Sequence, residues 1–317
     1  MNKKGLESPR DASNAGIHLV KRFLPAPVRT QLRSLRRSIK RMKVRRSRQI
    51  TSSELASDLN EIGLGSGEIV LVHSALSKIG FVVGGADAVI DSFLEVLGPA
   101  GTLLMPSFPF DTYVEDYLEA NRFFDAANTP SRMGKITEVF RLRAGVVRSV
   151  HPTHPVAALG PEAEYLTSGH RQDSETFGPN SPFHRLCEKD GRILLVGVDF
   201  HAMTNLHVVE DVFPRFPYQV YAPKTIAVRV REHDGRQSEM TVRAHSRSLS
   251  HLRDCNKMEK YFLEAGVLKI GRIGDAEGRL MQARGVLEVM RELAARGITM
   301  YFDDRVPAEK RNQKTAS

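Results

Sequence analysis

Two short, uninterrupted apolar runs, Ile69-Val70-Leu71-Val72 and Thr102-Leu103-Leu104-Met105, flank a stretch whose apolar residues Val89, Ile90, Phe93, Leu94 and Leu97 recur at helical spacing. A strand buried on both faces reads as continuously apolar, and two such strands joined through a helix lie parallel in one sheet. That unit restricts the chain to an alternating α/β architecture. Gly98 stops the helix, read over Ala86 to Leu97, and Pro106 closes the second strand. Upstream, Thr51-Ser52-Ser53-Glu54 is a capping-box start for a helix that carries Leu55, Leu59 and Ile62 on one face and ends at Gly63. The alternation returns in Ile193-Leu194-Leu195-Val196-Gly197-Val198 and a helical segment from Thr204 to Val212. Residues 219–244 alternate as an antiparallel hairpin about His233-Asp234-Gly235, and helical stretches near 254–265 and 281–296 follow. No repeat or low-complexity linker interrupts the chain after residue 51, so 51–305 is read as one domain and 306–317 as a disordered tail.

The net charge of +9 over 317 residues suggests a nucleic-acid or membrane-surface binder until it is located. Residues 1–50 hold 15 Lys and Arg against Glu7 and Asp11, so the remainder carries 31 basic against 35 acidic groups. The body is mildly acidic and the basicity belongs to an extension. After Pro25-Ala26-Pro27, the residues Val28, Leu32, Leu35, Ile39 and Met42 place one narrow apolar stripe on a basic helix predicted over 28–48. Three readings of it stay open: docking on the protein's own body or on a second subunit of a homodimer, lying on an anionic membrane surface, and binding nucleic acid. Residues 24–50 lack aromatics, so no base-stacking platform can form there, and nucleic acid is not expected as a partner. Cys187 and Cys255 are the only cysteines, far apart and outside any Cys-x-x-Cys pair. No apolar run approaches the roughly 18 to 20 residues of a membrane-spanning helix. The expectation is a cytoplasmic protein with two inert thiols, held at most peripherally at the inner membrane surface.

Common catalytic motifs are absent. Gly63-Leu64-Gly65-Ser66-Gly67 precedes a strand instead of following one, which makes it a turn and not a dinucleotide loop. There is no Walker loop, no G-x-S-x-G elbow and no H-E-x-x-H, and Gln282-Ala283-Arg284-Gly285-Val286-Leu287 fails the acyl-CoA phosphate-loop pattern at its last position. What remains is a set of histidines at or beyond strand ends: His73, His151, His154 and His207. In a parallel sheet, ligands bind in the crevice beyond the strand carboxyl ends. Each His also has a plain structural reading as a hydrogen-bonded buried residue. His151, His154 and Glu210 could form a metal set, although prolines at 152 and 155 spoil helical presentation. His207 and Glu210, three apart on a predicted helix, either pair as an imidazole with its orienting carboxylate or lie together on a surface helix.

A family resemblance goes further than spacing. Leu71-Val72-His73-Ser74-Ala75-Leu76-Ser77-Lys78-Ile79-Gly80 followed by Val83-Gly84-Gly85-Ala86-Asp87 resembles the opening signature of the aminoglycoside 3-N-acetyltransferase family. The resemblance continues through Gly98-Pro99-Ala100-Gly101-Thr102, Arg148-Ser149-Val150-His151-Pro152 and Val156-Ala157-Ala158-Leu159-Gly160. It also includes Gly178-Pro179-Asn180-Ser181-Pro182, Leu194-Leu195-Val196-Gly197 and Asn205-Leu206-His207-Val208-Val209-Glu210. It covers residues 51–218, becomes loose beyond them and excludes 1–50.

The resemblance implies a three-layer α/β/α fold with a central mixed sheet, distinct from the common acetyltransferase fold. It also implies acetyl-CoA as cosubstrate, no metal, and an amino group on a sugar-like ring as acceptor. It makes His207 the general base, with Glu210 as its partner. The loop from His73 to Ala86 is similar to the CoA-lining stretch, so His73, Ser74, Ser77, Gly84 and Gly85 are expected at the cosubstrate, with Arg148 as a phosphate contact. His151, His154 and Asp211 are expected on the acceptor side. The chain differs from antibiotic-modifying members at His151-Pro152-Thr153-His154-Pro155 and over Phe108 to Met133, and it adds a basic extension. These departures direct the expectation first to an amino sugar of surface-polysaccharide assembly, with aminoglycoside resistance as the alternative. A non-catalytic CoA-fold scaffold or membrane adaptor, and a metal-dependent hydrolase built on His73, His151 and His154, are the contrasting classes.

Overall fold

In the computed structural model, which describes residues 48–172 and 175–312, the first apolar run forms strand β2 (Ile69–Ser74) and the second forms β4 (Thr102–Pro106). The pleat sends alternate side chains to opposite faces. Val70, Val72, Leu103 and Met105 therefore join one apolar cluster while Leu71 and Leu104 join another. The remaining strands are β1 (Gln49–Ile50), β3 (Phe81–Val82), β5 (Phe123–Asp125), β6 (Val147–Arg148) and β7 (Val156–Leu159). They are followed by β8 (Arg192–Val196), β9 (Tyr221–Arg231), β10 (Gln237–His245), β11 (Leu268–Ile273) and β12 (Ala276–Gln282).

Seven strands make the main sheet in the order β11-β12-β8-β2-β4-β7-β6. The central trio β8, β2 and β4 is parallel, as the crossover predicts, and every outer pairing is antiparallel. On one face lie the Ser52–Ile62, Gly85–Leu97 and Lys135–Arg141 helices through Leu59, Ile90, Phe93 and Phe140. On the other lie the Pro182–Glu188, Val208–Val212 and Ala283–Ala295 helices through Phe183, Val208, Val209 and Met290. These are the three expected layers around a mixed sheet. Phe93 is 2 % exposed, and trimming it to Ala would cost about 3–5 kcal/mol.

Local signals match their physical causes. Thr51 caps the first helix as a closed box, Glu54 reaching back to the Thr51 amide at 2.8 Å, and Gly63 ends it in the left-handed region. Gly160 ends β7 at φ +132°, where an added Cβ would run into the Gly101 carbonyl and Thr102 backbone. The predicted hairpin is β9–β10, with Arg231 opposite Gln237. It stands outside the main sheet and forms a second, three-stranded sheet with β5 over Tyr117, Leu118 and Phe124.

Three boundaries differ from the sequence expectation. The body begins at Gln49, because β1 pairs in parallel with β3. Residues 268–282 are a hairpin joined to β8; alternation there is interrupted by Gly271, Gly274 and Gly278 and carried on charged residues, which masks the strand signal. The C-terminal boundary at 305 is corrected as well: Val306 is buried, Arg311 bridges to Tyr218, and the Asn312 amide donates to the Pro217 carbonyl. The basic helix predicted over 28–48 falls, apart from Arg48, outside the described residues.

Candidate active site

The chain leaves β8, makes a 3-10 turn over Thr204–His207 and continues into the Val208–Val212 helix, so His207 and Glu210 share one face. His207 Nδ1 lies 2.9 Å from Glu210 Oε2. The Glu210 side chain has no solvent exposure, and it takes two further hydrogen bonds. His245 Nε2 sits 2.7 Å from the same Oε2, and the Tyr301 hydroxyl donates to Oε1 at 2.6 Å. Burial opposes ionisation of Glu210, but its electrostatic and hydrogen-bonding interactions with the His207 and His245 imidazoles outweigh it and hold the carboxyl well below its usual range. An ionised carboxylate only accepts, so His207 donates through Nδ1–H and its Nε2 carries the lone pair.

Burial lowers His207 to about 4 despite the opposing pull of Glu210. The imidazole is thereby held in its neutral form, its proton affinity below that of a free histidine. Its ring stacks on Phe177, centroids 5.2 Å apart, and it keeps a residual 12 % side-chain exposure. His245, lowered by the same burial, stacks on Tyr221 at 4.7 Å.

Asp211, expected on the acceptor side, is committed elsewhere. Its oxygens accept from the Tyr221 hydroxyl at 2.8 and 2.7 Å and from the Phe177 amide at 2.7 Å, and burial raises it to about 8. It holds the segment that presses Phe177 onto His207. His151 is also corrected. It is fully buried, its Nδ1 accepts from the Thr153 and His154 amides, and its ring stacks on His170 at 4.4 Å, so it braces the turn instead of meeting an acceptor. His154 stands in the wall of the site, its ring 5.2 Å from Phe177 and 4.7 Å from Phe108, with Nδ1 on the Thr153 hydroxyl at 2.9 Å.

The predicted cosubstrate stretch divides. Gly84 and Gly85 open the Gly85–Leu97 helix at φ +84° and +63°, and a Cβ on Gly85 would meet nothing within 4 Å. Ser77 is exposed nearby, and Ser74 Oγ is buried without a hydrogen-bond partner. Such a glycine-headed helix start, with amides unobstructed by side chains, fits a phosphate or pantetheine chain. His73 points instead into the buried layer below, on the Leu71 side of the pleat, and burial lowers it to about 4. Arg148 is corrected too: its fork donates to the carbonyls of Ala126, Thr129 and Ser107, 5 % exposed over Phe124, which leaves no free fork for phosphate.

Among the described residues, His73, His151 and His154 form no metal grouping; His207, Glu210 and His245 bring ligand-type atoms within 4.8 Å of one another. His207 Nδ1, Glu210 Oε2 and His245 Nε2 are already joined by two imidazole–carboxylate hydrogen bonds, which a cation bound between them would have to displace. Cys187 and Cys255 are free and buried, and burial pushes both thiols up to about 12. His245 and Tyr301 were not anticipated. His245 closes the alternating strand β10, where a buried His was a readable signal, whereas Tyr301 follows the last helix with no local pattern to mark it.

Residues 71–295 match the model of the family described as aminoglycoside 3-N-acetyltransferase. The chain is 37 % identical over 174 residues to aminoglycoside N(3)-acetyltransferase VII of Streptomyces paromomycinus, covering 51 % of this chain and 60 % of that one. It is 31 % identical over 252 residues to aminoglycoside N(3)-acetyltransferase IX of Micromonospora chalcea, covering 74 % and 89 %. The crystal structure of aminoglycoside acetyltransferase AAC(3)-Xa superposes with a TM-score of 0.66 at 31 % identity, over 77 % of this chain and 92 % of that one.

Proposed function

The chain belongs to the aminoglycoside 3-N-acetyltransferase family, and from that premise we propose that it transfers the acetyl group of acetyl-CoA to an amino group of an aminoglycoside-type amino sugar, with His207 as general base. The observation that carries the reading is the neutral His207, tied through Nδ1 to an ionised Glu210 and left with Nε2 as its free lone pair.

The low proton affinity of His207 sets the order of events. It is too weak a base to strip a free ammonium, so the acceptor reacts as the amine. As the nitrogen lone pair bonds to the thioester carbonyl, that nitrogen becomes strongly acidic, and Nε2 takes its proton. Glu210 stabilises the resulting imidazolium across the 2.9 Å contact. Collapse expels CoA as the thiolate, which the imidazolium can protonate. Ser74, Ser77, Gly84 and Gly85 would hold the cosubstrate, and no cysteine is needed as an acyl carrier, since neither thiol ionises near neutrality. The acidic balance of residues 51–317 favours a cationic acceptor.

The surface-polysaccharide acceptor favoured from the sequence gives way to an aminoglycoside, because the matched relatives bear aminoglycoside N(3)-acetyltransferase names. The test is CoA-thiol release from acetyl-CoA across a panel of aminoglycosides and simple amino sugars. Turnover on aminoglycosides, with a ~10²–10⁴-fold loss in His207→Ala and retained CoA binding, is expected. Near-normal turnover in His207→Ala would remove the base assignment, and turnover confined to simple amino sugars would return the polysaccharide reading.

A further inference from the structure

Glu210 offers two oxygens to three donors, and their distribution is uneven. Both imidazoles bind Oε2, whereas among the described residues Oε1 takes only the Tyr301 hydroxyl, at 2.6 Å. Tyr301 is fully buried and lies beyond the family match, which ends at residue 295. Its segment is stitched to residues 252–257: Asp254 N donates to Met300 O, Phe302 N donates to Leu252 O, and Lys257 Nζ donates to the Tyr301 carbonyl. The buried Arg253 guanidinium lies close enough for its charge to act on the phenol. The ring packs edge-on against Tyr218 at 5.9 Å. The ring is thus held from the side and through its own backbone.

We propose that Tyr301 is a positioning residue for acetyl transfer: by occupying Oε1 it fixes the plane of the Glu210 carboxylate and commits Oε2 to His207 and His245. The inference rests on the reading of His207 as base and adds to it a role for the C-terminal segment. Without the phenol, the carboxylate would be free to turn, and one imidazole could follow Oε1 and leave the other. The hydrogen bond also draws charge from the carboxylate, which tempers its pull on the His207 proton. Besides Tyr301, the groups facing Glu210 are His207, Asp211, Tyr221, His245, Arg253 and Cys255. Of these, only His207, His245 and Tyr301 donate to its oxygens among the described residues.

The experiment uses the full chain and two readouts: the imidazole titration of His207 followed by NMR, and the pH dependence of kcat/KM. In Tyr301→Phe the carboxylate regains charge, so His207 should bind its proton about half to one pH unit higher, and the lower break in kcat/KM should move the same way. The plateau kcat should fall ~10-fold, as expected for a misaligned base. Incorporating 3-fluorotyrosine at position 301 keeps the bond, strengthens the donor and should move both readouts to lower pH, a result still accessible if Tyr301→Phe does not fold. A His207 titration and plateau unchanged in the folded variant, or unmoved by the fluorinated side chain, overturns the positioning role. Failure of the base reading is separate: it would show as turnover in His207→Ala, whatever the His207 titration does in Tyr301→Phe.

Discussion

Glu210 and Asp211 are consecutive, share one short helix and are both largely withdrawn from water, yet their surroundings drive them to opposite protonation states. Glu210 collects two imidazole N–H groups and a phenol, and it stays ionised. Asp211 collects a phenol and one backbone amide, lies beside the charge of Glu210, and rises to about 8. Burial is common to both, so it does not decide the outcome. What decides is whether the donors can share positive charge, as imidazoles can and a phenol or amide cannot. The first carboxylate is thereby suited to stabilising an imidazolium, and the second to acting as a neutral strut under Phe177.

The largest break in this contrast would come from Glu210→Gln. The amide keeps the shape and removes the charge, so kcat should fall ~10³-fold or more while the fold persists, measured by thiol release beside a thermal melt. Turnover within tenfold of the parent would mean that the charge is not used. Next in size is acid lability. His73 and His207 are lowered to about 4 and His170 to about 3, all by burial, so the native state excludes protons that the unfolded chain binds below about 6.5. Stability is therefore fully present above that pH and is lost as pH falls toward 4. At about 1.4 kcal/mol for each tenfold change in proton affinity, His73 and His207 each remove ~3 kcal/mol and His170 ~5 kcal/mol once the pH has fallen through their folded values. Urea midpoints measured between pH 7.5 and 4.5 should drop steeply, and a flat profile would contradict neutral burial.

Asp211 works with the opposite sign, and its effect is smaller than that of the three histidines together. Its folded proton affinity exceeds the unfolded one, so the native state holds a proton that the unfolded chain releases, and stability declines from about pH 4 until about 8. Asp211→Asn should cancel that slope while turnover at pH 7 stays within about threefold, because the amide imitates the neutral acid. Melting curves of parent and variant that run parallel across this range would show that Asp211 is ionised after all. The smallest effect is expected of Cys187→Ser, whose buried thiol donates to the Phe183 and Ala283 carbonyls. Turnover should be unchanged, with about 1 kcal/mol lost at most; a large activity loss would reopen a covalent route.

The same contrast explains what could be read from the chain beforehand. His207 and Glu210 are three residues apart, and local geometry places them together, so the pair was legible. Strands β2, β4 and β8 were legible because burial on both faces leaves an unbroken apolar run. Asp211 and Arg148 were misread because residue type suggested ligand contacts, whereas their partners, Tyr221 and three backbone carbonyls, come from segments that sequence spacing does not bring near. His245 and Tyr301 reach Glu210 from β10 and from beyond the last helix, and β11 and β12 were hidden by glycines and charges. Contacts made by long-range folding leave no periodic trace.

The parallel pairing of β2 with β8 joins Val70 to Arg192, and no hairpin can bring these strands together, so the intervening chain must be ordered before the sheet centre closes. The Glu210 carboxylate then waits longer still, since one of its donors, Tyr301, lies 91 residues further along the chain. During synthesis, a chain with most of its sheet assembled would still have an incomplete site until that segment left the ribosome. Completion of the Glu210 hydrogen-bond set is in this sense a late event of folding, and it reports that the body, as far as the segment carrying Tyr301, has closed.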